Sequence, residues 1–189
     1  MQDDIEHVLI DRDTIQRRID ELAVTIAKDL EAETADGPGE ITLVPILTGS
    51  IIFLADLIRR LPIPMQIRVM TVTSYPGTAT TSQGASIEAS LTKLPEDLSN
   101  NHVLVIDDIL DSGNTLRQVR QTIEKRNPIS LRTCVLLRKQ IPSAMSFPVD
   151  YVAFDIPNEF VVGYGLDYND YYRNLPDIVT LKQHVYANA

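Results

Sequence analysis

The chain has few of the residues that mark disulfide-stapled or membrane proteins. Its 189 residues include one cysteine and no tryptophan, and no apolar run approaches the roughly 18 residues of a membrane span. A single cysteine cannot form an internal disulfide, so the chain is compatible with a reducing compartment. Cys134 lies in an apolar run and is predicted to be buried and inert. Because the first residues lack the basic and apolar regions of a signal peptide, we predict a soluble, cytoplasmic protein.

Positive charge is also scarce. The chain has 17 Lys and Arg against 26 Asp and Glu, which gives a net charge of -9. This balance provides no general attraction to nucleic acid or to anionic membranes, so we predict neither as a partner. A phosphorylated ligand would need local devices instead, such as a helix N-terminus, a few cations or a bound metal.

Strand-like and helix-like patterns alternate along the chain. Apolar residues at helical spacing between positions 13 and 30 predict a long amphipathic helix. The other predicted helices cover residues 51–58 and 116–123, and the predicted strands cover 41–47, 66–73, 86–91, 103–106, 131–137, 151–154 and 160–162. These elements predict one α/β domain, residues 1–189, with a mainly parallel central sheet flanked by helices. Residues 78–86 have little to bury, which favours a mobile loop, with a disordered surface connection as the equal alternative.

The most informative stretch is VLVIDDILDSGNTL at residues 103–116. Its apolar start suits a strand covered on both faces, and Asp107, Asp108 and Asp111 follow near the carboxyl end, where ligands bind in open α/β sheets. Hydroxyls, an amide and backbone N–H groups then open the next helix and would fit a phosphate: Ser112, Gly113, Asn114 and Thr115. An acidic turn in which Ser112 merely caps the helix is the alternative. The turn at Thr48 and Gly49 offers backbone amides to a phosphate too, although an ordinary strand-to-helix turn looks the same.

Two segments carry a family resemblance. Residues 103–116 resemble the phosphoribosyl-pyrophosphate signature of type I phosphoribosyltransferases, and FVVGYGLDYNDYYRNL at 160–175 resembles the C-terminal signature of the hypoxanthine/guanine branch. With Ser74 and Tyr75 before the long loop, the similarity extends from about residue 41 to 175. It implies the type I phosphoribosyltransferase fold with a core of about 40–165, a small hood formed by the N-terminal and C-terminal segments, a mobile loop, and a homodimer or homotetramer.

The resemblance also implies a reaction. The family's enzymes transfer the 5-phosphoribosyl group of phosphoribosyl pyrophosphate to hypoxanthine and/or guanine, with Mg²⁺, giving IMP or GMP and pyrophosphate. Two other functions stay open beside this one. They are phosphoribosyl transfer to xanthine or another base, and a non-catalytic regulator that binds nucleotide or RNA on the same fold.

Roles for the central stretch follow from the resemblance. Asp107 and Asp108 would hold the ribose hydroxyls, partly through magnesium, and residues 112–115 would bind the 5′-phosphate. Asp111 would contribute to the phosphoribosyl site as well, and it would face N7 of the purine as the acid/base. It is therefore the predicted catalytic residue.

The base and pyrophosphate contacts are implied in the same way. Lys139 would donate to the purine 6-oxo group, Phe160 would stack on the base, and the Val161 backbone would read its edge. Asp167 would hold a second magnesium beside the base, on the pyrophosphate side, and Arg173 would contact pyrophosphate.

The turn after the first predicted parallel strand departs from the family pattern. The family has Leu-Lys-Gly there, whereas this chain has Leu47, Thr48 and Gly49. A family-type cis peptide between Leu47 and Thr48 would still present backbone amides to pyrophosphate. The lysine charge is missing, which predicts a different pyrophosphate affinity or subunit coupling. Ser74 and Tyr75 would open the loop that closes over the reacting centre.

Overall fold

The computed structural model describes residues 1–35, 37, 39–71 and 94–186. After a short 3-10 helix, Gln2–Asp4, the elements follow in the order β1 (Ile5–Ile10), α1 (Arg12–Ala35), β2 (Glu40–Leu47), α2 (Ile51–Ile58), β3 (Gln66–Ile67), β4 (Met70–Thr71), β5 (Asn101–Leu110), α3 (Asn114–Glu124), β6 (Ser130–Lys139), α4 (Pro142–Met145), β7 (Tyr151–Ile156), β8 (Val161–Val162), β9 (Ile178–Leu181) and α5 (Gln183–Tyr186). The predicted α/β class is confirmed.

The main sheet is parallel throughout its described part. Its strand order is β3-β2-β5-β6-β7, and β4 pairs with the end of β2. Strand β5 therefore lies between β2 and β6, so the carboxyl ends of these three strands meet at one edge. This is the edge at which the sequence predicts a ligand site.

Helices cover both faces of this sheet, which explains why β5 shows no polar alternation. Leu104 and Ile106 pack in the core beneath α1 and α2, whereas Val103 and Val105 pack in the core beneath α3. A strand buried on both faces needs apolar residues at every position. Cys134 is fully buried, as predicted, and burial raises the pKa of its thiol.

A second, antiparallel sheet joins the two ends of the chain. Its order is β1-β9-β8. The strand predicted at 160–162 therefore exists as β8 but pairs in this sheet rather than in the parallel one. Strands β1 and β9 were not predicted, because each is short and finds its partner more than 160 residues away along the chain.

Three further details differ from the sequence-based expectations. Strand β5 continues to Leu110, so Asp107 and Asp108 lie within the strand instead of following it. The strand predicted at 66–73 is divided into β3 and β4. Residues 72–93, which include the predicted loop 78–86 and the predicted strand 86–91, lie outside the described residues. Within the described ranges, no helix has the length and apolar character needed to cross a membrane.

Candidate active site

A cavity of about 380 Å³ opens at the carboxyl edge of the parallel sheet. Four segments enclose it: the turn after β2, the end of β5, the start of α3 and the loop after β8. Its lining consists of Ile46, Leu47, Thr48, Gly49, Asp107, Asp108, Ile109, Asp111, Thr115, Asp167 and Arg173. Most of the predicted phosphoribosyl, metal and pyrophosphate residues thus meet in one place. Ile46 and Ile109 were not predicted, because apolar strand residues carry no signal that distinguishes a cavity wall from a core.

A smaller cavity, about 60 Å³, lies beside the first and is formed by residues 110–116 together with Asp107 and Ile109. Gly113 takes a left-handed conformation (φ 77°) immediately before α3, and a Cβ there would press on the Phe147 ring. No side chain caps the helix, because Gly113 holds the cap position and the Ser112 hydroxyl accepts only a long bond from the Asn114 N–H, 3.4 Å. The first N–H groups of α3 are therefore available to an anion such as phosphate.

Asp107 and Asp108 place two carboxylates on consecutive residues of the central strand. Asp107 is buried, and its Oδ1 accepts a hydrogen bond from the Asp108 N–H, 3.1 Å. Burial and the neighbouring Asp108 charge raise the pKa of Asp107 well above its usual value. Burial also raises the pKa of Asp108, while Arg173 acts in the opposite direction. The pair is therefore a site where a cation would be stabilising.

The turn after β2 approaches Asp108 closely. A Cβ on Gly49 would overlap the Asp108 carboxylate, so only glycine fits here without displacing that side chain. The peptide bond between Leu47 and Thr48 is cis, as the resemblance implies. Thr48 and Gly49 line the same cavity as the carboxylates.

Lys139 and Asp111 form an ion pair at the ends of β6 and β5. The Lys139 Nζ lies 2.9 Å from Asp111 Oδ2. The Asp111 side chain is 52% exposed, whereas that of Lys139 is 13% exposed. A cationic donor and a carboxylate thus lie side by side, and a 6-oxopurine presents O6 and N7 side by side on one edge.

The loop after β8, residues 163–175, holds Arg173 in a fixed arrangement. Its Nη1 lies 2.8 Å from Asp167 Oδ1 and donates to the Gly165 carbonyl at 2.9 Å, and its Nη2 donates to Asp170 Oδ1 at 3.0 Å. The Asp170 N–H in turn donates to Asp167 Oδ2, 2.9 Å. The guanidinium is therefore oriented by its own loop before any ligand arrives.

Three predicted base contacts do not line these cavities, although one of them, Lys139, pairs with Asp111, which does. The Phe160 ring is 42% exposed and packs edge-on against Tyr168, with ring centroids 5.7 Å apart. Val161 is buried in β8, opposite Thr180 of β9. Neither residue is among those that line the two cavities described above. Ser74 and Tyr75 lie outside the described residues.

The cavity suits a magnesium ion that is shared with a phosphorylated substrate. Its lining carries four carboxylates and one guanidinium. In the described part of the chain, no three His, Cys, Asp or Glu side chains are grouped so that they could hold a metal by themselves. Magnesium is usually bound by one or two carboxylates together with substrate phosphates, and the Asp107–Asp108 pair provides that donor set.

Gly165 offers a test of how tightly the 163–175 loop packs on the turn after β2. It has a left-handed φ of 103°, and a Cβ would overlap the Gly49 carbonyl oxygen. We expect Gly165→Ala to lower the free energy of unfolding by about 1–3 kcal/mol, measured by urea denaturation. A methyl group on Gly37 meets no described atom within 4 Å, so Gly37→Ala should change the free energy of unfolding by less than about 0.5 kcal/mol. Equal effects of the two substitutions would contradict this packing.

The sequence model of the phosphoribosyl transferase domain matches residues 11–169. The chain belongs to the phosphoribosyltransferase family. This phosphoribosyltransferase is 42% identical over 183 residues to the hypoxanthine-guanine phosphoribosyltransferase of Mycobacterium tuberculosis, an alignment that covers 97% of this chain and 89% of the relative. The enzyme of the same name from Streptococcus pneumoniae is 37% identical over 188 residues, which cover 100% of this chain and 99% of the relative.

Solved structures agree with this membership. A hypoxanthine phosphoribosyltransferase of Trypanosoma cruzi superposes with a TM-score of 0.86 at 37% identity, covering 98% of this chain and 95% of that chain. One from Staphylococcus aureus superposes with a TM-score of 0.85 at 37% identity, covering 98% and 96%. The predicted family and the predicted phosphoribosyltransferase fold are confirmed.

Proposed function

We propose that this phosphoribosyltransferase is a purine salvage enzyme. It transfers the 5-phosphoribosyl group of phosphoribosyl pyrophosphate to hypoxanthine and/or guanine and releases IMP or GMP and pyrophosphate. The observation that carries the proposal is the single cavity in which Asp107, Asp108 and Asp111 face Asp167 and Arg173. The names of the curated relatives support the choice of base.

The ribose 5-phosphate occupies the side of the cavity formed by β5 and α3. The 5′-phosphate binds to Ser112, Gly113, Asn114 and Thr115, where uncapped helix N–H groups and two hydroxyls converge. Asp107 and Asp108 hold the ribose hydroxyls. Their paired charge supports Mg²⁺ as the cofactor, with Asp167 as the ligand of a second ion. When bound, magnesium supplies positive charge that offsets the charge developing on pyrophosphate.

The purine lies against the ion pair of Lys139 and Asp111. Lys139 donates to the 6-oxo group, and Asp111 accepts or returns the proton at N7 as the acid/base. The 2.9 Å separation of the two side chains supports these roles, because O6 and N7 are neighbours on one edge of the purine. Phe160 stacks on the base and Val161 reads its edge through backbone groups, which requires the base to extend from the cavity toward β8.

Pyrophosphate leaves from the opposite side. Arg173 and the backbone of Thr48 and Gly49 bind it, and among the described residues that line the 380 Å³ cavity Arg173 is the one cation. The transition state of such a transfer has oxocarbenium character, so water must be kept from the ribosyl carbon. We propose that the segment beginning at Ser74 and Tyr75 closes over the reacting centre for this purpose.

We further propose the organisation of the whole chain. Residues 1–189 form one domain with a core of about 40–165, and the sheet β1-β9-β8 at the two chain ends forms the hood. Exposed Ile51 and Ile52 at the start of α2 support a homodimer or homotetramer. The one buried cysteine fits a reducing, cytoplasmic compartment.

A base panel tests the proposed function. The chain is assayed with phosphoribosyl pyrophosphate and Mg²⁺ against hypoxanthine, guanine, xanthine, adenine and uracil, with EDTA as the metal-free control. We expect turnover of hypoxanthine or guanine that EDTA abolishes. No turnover of any 6-oxopurine would refute the proposal, and a preference for xanthine or uracil would place the chain in another branch. Salt-sensitive RNA binding without turnover would indicate a regulator on the same fold.

A further inference from the structure

Three consecutive left-handed residues open the loop that carries Asp167 and Arg173. Gly163 has φ 95°, Tyr164 has φ 51° and Gly165 has φ 103°. Glycine adopts such angles readily, whereas an aromatic residue does so only when its surroundings hold it there. Tyr164 therefore needs contacts that fix it, and those contacts also fix where the loop begins.

The Tyr164 side chain is anchored to the two helices on one face of the sheet. It is 4% exposed, and its hydroxyl donates to Asp56 Oδ2 of α2 at 2.5 Å. The same carboxylate oxygen accepts a bond from Gln16 Nε2 of α1, 2.9 Å, and the other oxygen pairs with Arg59. Burial raises the pKa of Asp56, but the hydrogen bonds outweigh it and leave the pKa lowered, so Asp56 is an anion that accepts these bonds.

The anchor lies next to the groups that hold Arg173. The Tyr164 N–H donates to the Leu175 carbonyl at 2.8 Å, and the Gly165 N–H donates to the Arg173 carbonyl at 3.0 Å, so the two ends of the loop are tied together at Tyr164. The Gly165 carbonyl accepts directly from the Arg173 guanidinium, 2.9 Å. A shift of Tyr164 would therefore move the guanidinium.

Helix α2 connects this anchor to the other pyrophosphate segment. It begins at Ile51, separated from Thr48 and Gly49 only by the cap residue Ser50, and it carries Asp56 in its second turn. Gly165 lies against the Gly49 carbonyl, where no Cβ would fit. Helix α2 thus holds both segments of the pyrophosphate region. It is joined to the Thr48–Gly49 turn by the chain itself, and it holds the 163–175 loop through the Tyr164 hydroxyl.

We propose that Asp56 is a positioning residue that, through the Tyr164 hydroxyl, sets the Arg173 guanidinium against the Thr48–Gly49 turn for pyrophosphate. The inference rests on the proposed function. It predicts that the hydroxyl of a buried tyrosine, which touches no substrate, controls the affinity for pyrophosphate and leaves the affinity for the nucleotide product almost unchanged.

The test compares two substitutions that each remove one buried tyrosine hydroxyl bonded to an aspartate. Tyr164→Phe removes the bond to Asp56, and the matched control Tyr151→Phe removes the 2.8 Å bond to Asp29 at the other end of the parallel strands. Calorimetric titration with pyrophosphate in the presence of Mg²⁺ should show a Kd about tenfold higher for Tyr164→Phe. The Kd for IMP should change by less than about twofold, and Tyr151→Phe should change neither Kd.

A lower unfolding midpoint in both variants, with the pyrophosphate Kd unchanged in both, would overturn the inference, because Tyr164 would then be only structural. Asp56→Asn keeps an oxygen for the Tyr164 hydroxyl and loses the charge, so the Kd for pyrophosphate should rise by about threefold. This variant tests the inference if Tyr164→Phe does not fold. An unchanged Kd in Asp56→Asn would count against the inference. A wild-type chain that does not bind pyrophosphate with Mg²⁺ would instead contradict the proposed function.

Discussion

Asp111→Asn is expected to lower kcat for IMP formation by a factor of about 10² to 10⁴, the range associated with a general acid or base. Asparagine is close to isosteric with aspartate and keeps an oxygen for Lys139, but it cannot take up or return a proton at N7. The KM for phosphoribosyl pyrophosphate should change by less than about threefold, because the substitution leaves the proposed phosphate contacts at 112–115 in place. Steady-state kinetics with hypoxanthine separate the two quantities.

A second aspartate in a comparable ion pair provides the control. Asp155 accepts hydrogen bonds from Arg138 Nε at 2.6 Å and Nη2 at 3.0 Å, one strand farther along the same sheet edge. Asp155→Asn should leave kcat within about twofold of the wild type. The acid/base role of Asp111 would be contradicted if Asp111→Asn retained full kcat, or if it raised KM and left kcat unchanged.

Asp107→Asn is expected to stabilise the chain and to inactivate it. Asp107 is buried beside a second carboxylate. Burial and the Asp108 charge raise the pKa of Asp107, and burial raises the pKa of Asp108, so ionising both groups in the folded protein is unfavourable. Asparagine removes one charge and still accepts the bond from the Asp108 N–H. In EDTA, the free energy of unfolding should rise by about 1 kcal/mol. With Mg²⁺ and both substrates, kcat/KM should fall by at least about a hundredfold, because the proposed metal and ribose ligand is lost.

The control separates this local effect from the reduction in net charge. Asp97 is an exposed aspartate whose two carboxylate oxygens accept hydrogen bonds from the backbone N–H and the hydroxyl of Ser99. Asparagine keeps an oxygen for the Ser99 N–H, and its NH2 group can donate to the Ser99 hydroxyl oxygen instead. Asp97→Asn should therefore leave both the unfolding free energy and kcat/KM close to those of the wild type. A loss of stability in Asp107→Asn would show that the carboxylate pair is favourable without a cation, contrary to the charge argument.

The parallel sheet was predictable because its signal is local. Strand β5 is apolar at every position from Val103 to Ile106, and a strand covered on both faces requires that pattern. Its extension through Asp107 to Leu110 was not predictable, because two acidic residues normally end a buried strand. They remain in the strand because β5 continues to pair with β6, with Asp107 opposite Val135 and Ile109 opposite Leu137.

Other parts of the fold depend on pairings between distant segments. Strands β1 and β9 meet across almost the whole chain, and neither is long enough to show a pattern by itself. The conformation of the 163–175 loop could not be predicted from the sequence either. Four of its residues other than glycine adopt positive φ: Tyr164, Asn169, Asp170 and Tyr172. Asparagine and aspartate adopt such angles more readily than other residues, but the two tyrosines are held there by their hydroxyl bonds to Asp56 and Asp4, which the sequence pattern did not indicate.

The candidate site also combines residues with a local sequence signal and residues that only the fold brings together. The acidic turn and the phosphate loop are contiguous, and their spacing indicated a phosphate ligand before any fold was known. The ion pair of Lys139 with Asp111 joins residues 28 positions apart, and it became visible only when β5 and β6 were placed side by side. Asp56 gave no signal at all, since an aspartate on an amphipathic helix usually faces solvent.

The most direct test of the account is the stoichiometry of the reaction catalysed by the wild-type chain. Hypoxanthine, phosphoribosyl pyrophosphate and Mg²⁺ are incubated with the enzyme, and hypoxanthine, IMP and pyrophosphate are quantified over time by chromatography. The account predicts that IMP and pyrophosphate appear in equal amounts and match the hypoxanthine consumed. Release of pyrophosphate with ribose 5-phosphate and no loss of hypoxanthine would contradict it, because the ribosyl group would then pass to water instead of the base.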